Sequence, residues 1–526
     1  MNIAKLFLGK PSNAALTHVK STQSEVTRTW QELRDNVAGL TAGWRTLGIE
    51  PGDRILILSS SRVEIIEGIL AAFAMGAVAM PVGPTMGRAT IVAIVQRMKP
   101  RACVFEDVPD PEVIDALRAL SCLLITLKPE EASDSGYAGY HSLIEAGSLT
   151  ESGATLQFPS FADAHPALII HSSGSTGAPK VIVMGHGAVL RFFEYHDFVW
   201  RQYADASDTF DATGALITGL PLSHLAGIGV CLQGLLNGRH AYVMTFFLPH
   251  AYLKLMERSR CACMLLIPSL YRALLNDPHL EQMDRSALRC CILAGEACSA
   301  ELMKKVEAAF GVPAVMAYSM TECLSGFAHS RREIFAGNIK RGSCGRQLFG
   351  EVSLRNTDGS VNESFGELWV RNSTVHRCYL DEEMNDARLK NGWFRTGDLF
   401  FRDADGDFFH RGRVDDMFIC NGKNIYPLEM EMLILQHAGI EAACAAPIIA
   451  AHRGTNVPAI VIVASQPLTA REVQDHFRAN APTHTIPQFV LFAKSLPLLG
   501  PGKTDRRQAA KMLQEAYDAT REPQVV

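Results

Sequence analysis

No two of the 13 cysteines stand in C-x-x-C spacing. Cys261 and Cys263 are two apart, Cys290 and Cys291 are adjacent, and the total is odd. That excludes a zinc knuckle or a redox dithiol and leaves the thiols as small buried hydrophobes of a reducing compartment. An excess of one charge is missing as well. The 50 Lys and Arg stand against 55 Asp and Glu, a net charge of −5, and the basic residues are scattered. A nucleic-acid surface would need a basic stripe with aromatics. No apolar run reaches the roughly 20 uninterrupted residues of a membrane span. The most apolar stretch, "IIEGILAAFAMGAVAMPVGP" (65–84), carries Glu67 and ends in proline and glycine, so it reads as a buried helix running into a strand. The run in "MNIAKLFLGKPSN" is too short for a signal peptide. Repeats and low-complexity tracts are absent too. What remains is a chain of 526 residues, 48% hydrophobic and 20% charged, able to bury a large core and long enough for two to four domains of ~150 residues. A cytoplasmic protein is expected.

Strand-like and helix-like runs alternate over most of the length. "RILILSS" (54–60) precedes "RVEIIEGILAAFAMGA" (62–77), and "RACVFED" (101–107) precedes "PEVIDALRAL" (111–120). "CACMLLIP" (261–268) leads into "SLYRALL", and "RCCILAG" (289–295) into "ELMKKVEAAFG" (301–311). This alternation predicts an α/β fold with largely parallel sheets. From about 340 the texture becomes glycine-punctuated, as in "GELWVRNS" (366–373), "GWFRTGDLFFRD" (392–403) and "GDFFHRGRVDD" (406–416). Hairpins or a small barrel are expected there. The α/β pattern then resumes with a helix over "LEMEMLILQHAG" (428–439) and a buried strand "PAIVIVAS" (458–465). These shifts predict a large N-terminal domain over 1–414 and a small C-terminal α/β domain over 415–526.

Between the strand-like "HPALII" (165–170) and the apolar "VIVMGHGAVL" (181–190) lies "HSSGSTGAPK" (171–180). It has no apolar face to bury. Its glycines are spaced Gly174-x-x-Gly177-x-x-Lys180, so successive backbone amides can converge on phosphate oxygens. Ser172, Ser173, Ser175 and Thr176 add hydroxyls and Lys180 a charge. By itself such a loop is either a plain connection or a phosphate cradle. It is not a Walker A loop, which needs G-x-x-x-x-G-K-[ST]. Nor is "LPLLGPGKTDRR" (496–507), where Pro497 stands at the position of the required first glycine.

Taken together, the two loops resemble the adenylate-forming superfamily of acyl- and aryl-CoA synthetases, peptide-synthetase adenylation domains and beetle luciferases. The likeness recurs in chain order. "SSGSTGAPK" resembles the family's phosphate loop, "LPLSHLAG" (220–227) its histidine-containing substrate motif, "LAGEA" (293–297) its adenine-binding strand end, and "AYSMTE" (317–322) its Y-G-x-T-E motif. "GELWVR" (366–371), "GWFRTGD" (392–398), "GRVDDMFICNGKNIYPLEME" (412–431) and "PLLGPGKTDRR" (497–507) complete the set. Eight ordered motifs make chance agreement negligible.

The resemblance implies ATP-dependent activation of a carboxylic acid to an acyl-adenylate, followed by transfer to a thiol. By that likeness Ser172, Ser173, Gly174, Ser175, Thr176, Gly177 and Lys180 hold the β- and γ-phosphates of ATP, Thr321 bonds the α-phosphate, and Glu322 holds Mg²⁺. Gly295, Glu296 and Ala297 line the adenine, with Tyr318 on its face. Asp398 accepts from the ribose hydroxyls and Arg413 donates to the same sugar. Lys503 bridges the incoming carboxylate and the α-phosphate, Asp415 is the hinge of a mobile C-terminal cap, and Gly422 lines the tunnel for the thiol arm.

The neighbourhood "GLPLSHLAGIGVCLQGLL" (219–236) carries no carboxylate to pair with an α-amine. A neutral, apolar acyl pocket is expected, built from Leu225, Gly227, Ser319, Met320 and Leu324 with His224 at its entrance. It would take an aromatic or aliphatic acid in place of an α-amino acid. The segment 336–366 has no room for the insertion typical of ligases that stop at the adenylate, which favours CoA as acceptor; a carrier-protein thiol is the alternative. A nucleotide sensor on the same fold would have no use for Lys503. Three residues depart from the family pattern: Val181 replaces a glycine, Gly185 a hydroxyl residue before His186, and Ser319 a glycine. Ser319 adds bulk where the acyl chain would pass. Oligomeric state is not legible.

Overall fold

The computed structural model describes residues 1–520, apart from 10–12, 22–23, 135, 151–155, 173–179, 204–213, 325–326, 330–332, 335, 377, 451–454 and 499–503. The α/β architecture is as expected. A seven-stranded sheet runs in the order Ala138–Gly139, Leu123–Thr126, Ala102–Phe105, Arg54–Leu58, Val78–Val82, Pro166–Ser172, Lys180–Gly185. All neighbours in it are parallel except the last pair, a hairpin whose two strands flank the serine-glycine loop. A parallel sheet buried on both faces demands continuous apolar strands, and "RILIL" and "VAMPV" meet that demand.

The stretch 65–84 is the helix Val63–Met75 followed by the strand Val78–Val82. Gly76, at φ +82°, ends the helix in the left-handed region. Glu67 is fully buried within it and is the acceptor of a polar knot. Arg28 Nε lies 3.2 Å from its carboxylate, Asn36 Nδ2 donates at 2.8 Å and Tyr140 Oη at 3.2 Å. Burial raises the Glu67 pKa above the usual glutamate value even against these donors.

Among the described residues, three larger sheets and a two-stranded pairing of Phe327–Ala328 with Arg346–Gln347 complete the N-terminal mass. Cys263–Leu266, Cys290–Ala294 and Ala314–Ala317 form a parallel sheet. Ala15–Ser21 and Ser24–Thr29 form a hairpin that joins His240–Met244 and Leu216–Thr218; nothing in the local pattern of 15–29 announces a partner more than 200 residues away. The glycine-punctuated region is a six-stranded antiparallel sheet, curled into a half-barrel, that includes Phe365–Arg371, Trp393–Arg402 and Phe408–Arg413.

The helix expected over 428–439 stops at Ile434. Leu435 to His437 close it with tightening turns, and the chain enters the strand Ile440–Ala450 at once. The apolar run extends past Ile434 because Leu435 packs against the same core from the turn. One hydrophobic cluster takes its members from Ile3 to Phe408 and another from Phe418 to Tyr517. No helix among the described residues is long and apolar enough to cross a membrane.

Candidate active site

Parallel strands deliver their C-terminal ends to one edge, where side chains from separate segments can converge. Ala294 and Ala317 are register partners in the three-stranded sheet, so Gly295 and Tyr318 leave it side by side. Gly295 is exposed at φ +83° and turns the chain into the half-buried Glu296 and Ala297. The Tyr318 hydroxyl donates to Asp398 Oδ2 at 2.6 Å. Its ring stacks with offset against Phe327 (5.7 Å between centroids) and His410 (6.0 Å), and meets Phe400 edge-on at 4.8 Å.

Asp398 and Arg413 are 15 residues apart in sequence and directly opposite across two antiparallel strands. Arg413 Nη1 lies 3.3 Å and His410 Nε2 3.7 Å from Asp398 Oδ1. Burial opposes ionisation of Asp398, which is only 4% exposed. The contacts with His410, Arg413 and Tyr318 outweigh it and hold the pKa below the usual aspartate value. A fixed carboxylate between a hydroxyl, a guanidinium and an imidazole results.

Residues 319–324 make a tight excursion. Ser319 bridges to Leu324, and Met320 N–H donates to the Cys323 carbonyl at 3.2 Å. Leu324 is tied down by Thr374 Oγ1, which accepts from its N–H at 3.0 Å, and by Asn372 Nδ2, which donates to its carbonyl at 2.8 Å. The excursion presents Thr321, half-buried, and Glu322, 7% exposed. Glu322 Oε1 accepts from the Tyr379 hydroxyl at 2.8 Å. Asn385 in turn grips both backbone polar groups of Tyr379, at 3.0 and 2.8 Å.

Lys180 pairs with Ser172 at the mouth of the hairpin. Burial and the guanidiniums of Arg388 and Arg413 depress its pKa below the ordinary lysine value, against the pull of Glu322 and Asp415. Lys180, Glu322, Arg413 and Asp415, read from three separate motifs, therefore share one electrostatic environment. Ser173, Gly174, Ser175, Thr176 and Gly177 of the loop, and Lys503, lie outside the described residues. Arg388 belongs to none of the motifs. It sits in "DARLKNGWF", where one arginine near the end of a short helix carries no periodic or motif signal.

Gly397 shows how tightly the cations are packed. Its φ is +76°, and a Cβ there would lie 2.5 Å from Arg388 Nη1 and 3.2 Å from Arg413 Nη2. The glycine of "TGD" serves both the backbone conformation and the two guanidiniums.

Of the residues expected to line an acyl pocket, Leu225 and Leu324 are buried, Met320 is half-buried and Ser319 exposed. Gly227 lies against the Pro221 and Leu220 carbonyls, which a Cβ would meet at 2.4 and 2.7 Å. It lets the helix Leu225–Leu236 pack closely onto its own entry turn. His224 precedes that helix and donates its N–H to Pro221 O at 3.1 Å. The motif docks on the large sheet through Leu222 N–H, which donates to Ser61 Oγ at 3.0 Å.

Two of the three departures are absorbed by packing. Val181 is 3% exposed in an apolar cluster with Leu56, Met80 and Ile169. At Gly185 a side chain would meet the Asp163 carbonyl at 2.4 Å. His186 accepts the Ile3 N–H at 3.1 Å and stacks on Phe161, so it anchors the N-terminus.

Past the half-barrel, Asp415 lies in the turn Val414–Asp416, 60% exposed, with its Oδ2 4.0 Å from Arg388 Nη2. Asn421 and Gly422, at φ +50° and +71°, form the two-residue turn between Phe418–Cys420 and Lys423–Ile425. Gly422 is exposed at its tip.

The chain matches the model of the AMP-binding enzyme family over residues 8–380 and that of the AMP-binding enzyme C-terminal domain over 429–503. It is 28% identical to a feruloyl-CoA synthase of Amycolatopsis sp over 484 residues, covering 90% of this chain and 92% of the relative. It is 26% identical to a long-chain-fatty-acid–CoA ligase of Mycobacterium tuberculosis, covering 90% of each. A benzoate CoA ligase from Burkholderia xenovorans LB400 shares the fold with a TM-score of 0.80, 22% identity, and coverage of 97% of this chain and 100% of that one. The ordered motifs and the strand-end site they build thus have one source: the protein belongs to the AMP-binding enzyme family.

Proposed function

We propose that the protein is an AMP-forming carboxylate–CoA ligase. The observation that carries this reading is the convergence of Tyr318, Asp398 and Arg413 with Glu322 and Lys180 at one edge of the sheets. The relatives named feruloyl-CoA synthase and long-chain-fatty-acid–CoA ligase support it. In the first step a carboxylate oxygen attacks the α-phosphorus of ATP, the bond to the bridging oxygen breaks, and pyrophosphate leaves. In the second the CoA thiol, losing its proton, attacks the acyl carbonyl and AMP departs.

Both steps depend on positioning and on neutralising phosphate charge more than on covalent chemistry by the protein. Asp398 accepts from the ribose hydroxyls, its ionised state secured by Arg413 and Tyr318. Gly295, Glu296 and Ala297 flank the adenine. Lys180 and the loop 172–177 face the outer phosphates, and Thr321 the α-phosphate. Lys503 delivers positive charge to carboxylate and α-phosphate together. Glu322 would supply one carboxylate ligand beside Lys180. That suits Mg²⁺, which is held by one or two carboxylates together with substrate phosphates; when bound it would neutralise phosphate charge.

Domains over 1–414 and 415–526 are proposed on the break in sequence texture, and a hydrophobic cluster whose members all lie between Phe418 and Tyr517 supports them. With Asp415 as hinge, the cap would bring Gly422 to the thiol path in the second step. Asp415→Pro fixes φ at this turn and should spare carboxylate-dependent pyrophosphate release while blocking acyl-CoA formation. Quenched-flow assays of each half-reaction check this, and equal loss of both would remove the hinge role.

An aromatic or aliphatic acid is the proposed substrate, because the 219–236 neighbourhood is free of carboxylates. The deciding experiment is pyrophosphate release with ATP and Mg²⁺ over a panel of benzoates, fatty acids of several lengths and amino acids, with and without CoA. Turnover of one acid class yielding an acyl-CoA is expected. Adenylate formation indifferent to CoA would move the acceptor to a carrier-protein thiol. No turnover with any acid would overturn the reading.

A further inference from the structure

Arg388 ends the helix Glu382–Arg388 and directs its guanidinium into the space shared by Lys180 and Arg413. Its Nη1 donates to the Arg395 carbonyl at 3.3 Å, and its side chain is 21% exposed. The helix is held at its N-terminal end and at its middle. Asp381, just before it, receives Arg97 Nη2 on both carboxylate oxygens at 2.5 and 2.6 Å, and Asn385 is locked to the Tyr379 backbone. The guanidinium is thus presented on a fixed element.

Three cations, Lys180, Arg388 and Arg413, crowd this corner, and of the carboxylates near them Asp398 pairs with Arg413. Asp398 is shared among Arg413, Tyr318 and His410. Glu322 accepts from Tyr379. Asp415 is largely in solvent and 4.0 Å away, a separation at which an exposed pair contributes little. Like charges converge in this way where a polyanion is to be received. The guanidinium fork fits two oxygens of one phosphate, which an ammonium cannot match. Arg413 already pairs with Asp398, whereas Arg388 faces Asp415 at 4.0 Å and acts on Lys180, which closes the hairpin that carries the serine-glycine loop.

We propose that Arg388 is a further phosphate-binding residue, clamping the outer phosphates of ATP before reaction and pyrophosphate after it. This rests on the reading that the site takes ATP. The two are separable in experiment: a wild-type protein that turns over no acid sinks that reading, whereas an active wild type makes the variants a test of Arg388 alone.

The test compares wild type with Arg388→Met and Arg388→Lys, as full-length protein, by KM for MgATP and for the acid, and by calorimetric binding of pyrophosphate and of AMP. For Arg388→Met, KM for ATP and Kd for pyrophosphate should rise about 10- to 100-fold, as for loss of a charge-assisted contact. AMP affinity and KM for the acid should stay near wild type, and Arg388→Lys should recover part of the loss. A merely structural arginine would weaken AMP and pyrophosphate together, or neither; either result overturns the proposal. Should Arg388→Met fold poorly, Arg388→Gln retains a donor for the Arg395 carbonyl and takes its place. Selective loss of pyrophosphate binding in that variant supports the clamp, and parallel loss of both ligands, or of neither, overturns it.

Discussion

Lys503→Ala should lower carboxylate-dependent pyrophosphate release by about 10²–10³-fold, the usual effect of removing one group aimed at transition-state charge, while ATP still binds. Two anions, the carboxylate and the α-phosphate, must approach each other in adenylation, and a cation touching both is most useful when charge is redistributing between them. The segments on either side of the lysine are organised for such a task. Leu498 bridges to Thr504, and Asp505 N–H donates to the Pro497 carbonyl at 2.8 Å, so the two ends of the loop meet. Asp505 then caps the helix Arg506–Ala519 by accepting two N–H bonds at 3.1 Å. Arg506 grips both oxygens of Glu431 and reaches Asp416 Oδ2 at 3.3 Å, tying the base of the loop to the turn that holds Asp415. The measurement is pyrophosphate release beside CoA transfer from pre-formed acyl-adenylate, which should be unchanged in the variant. Adenylate formation at the wild-type rate would remove Lys503 from the mechanism.

Asp398→Ala should weaken ATP binding and destabilise the fold together. The carboxylate is nearly fully buried and is the common acceptor of Tyr318 and Arg413, with His410 close by. Deleting one partner of a buried pair leaves the other charge uncompensated and costs about 3–5 kcal/mol. Loss of the ribose acceptor should add a fall in ATP affinity of about 10- to 100-fold, the worth of hydrogen bonds to a charged group. Asp398→Asn keeps an acceptor without the charge and should fall between. Because the folded carboxyl is held below the ordinary aspartate value of about 3.9, its stabilisation is complete above that pH. It is lost as pH falls through the lower folded value. Acid titration of unfolding should therefore be shallower below about pH 4 in Asp398→Asn than in wild type. An Asp398→Ala protein that binds ATP normally would sink the ribose assignment.

The hairpin that carries Asp398 and Arg413 is readable from sequence as two strand-like runs around a turn, but their direct pairing depends on a register shift between Leu399 and Phe400 that no spacing announces. The strands around the serine-glycine loop are readable in the same way. Tyr379 and Arg388 carry no such signal. Each acquires its place across the chain, Tyr379 by its bond to Glu322 57 residues earlier and Arg388 by its approach to Asp415. The strands Ala15–Ser21 and Ser24–Thr29 escape a local reading for the same reason, since their sheet is completed by residues 216–244. Within the helix at 427, local pattern overruns the true end because apolar residues beyond it pack from a turn.

By itself, the sequence determined the α/β alternation, the change of texture near residue 415, the lack of an uninterrupted apolar run of ~20 residues, and the ordered motifs that mark the family. Those properties live in local periodicity and short spacings. Only the tertiary structure decided that Glu67 is an internal hydrogen-bond acceptor, that Gly185 and Val181 are matters of packing, and that Arg388 joins Lys180 and Arg413 in one corner. Burial, register across distant strands and the summed field of several charges are properties of neighbours in space, and no window along the chain contains them.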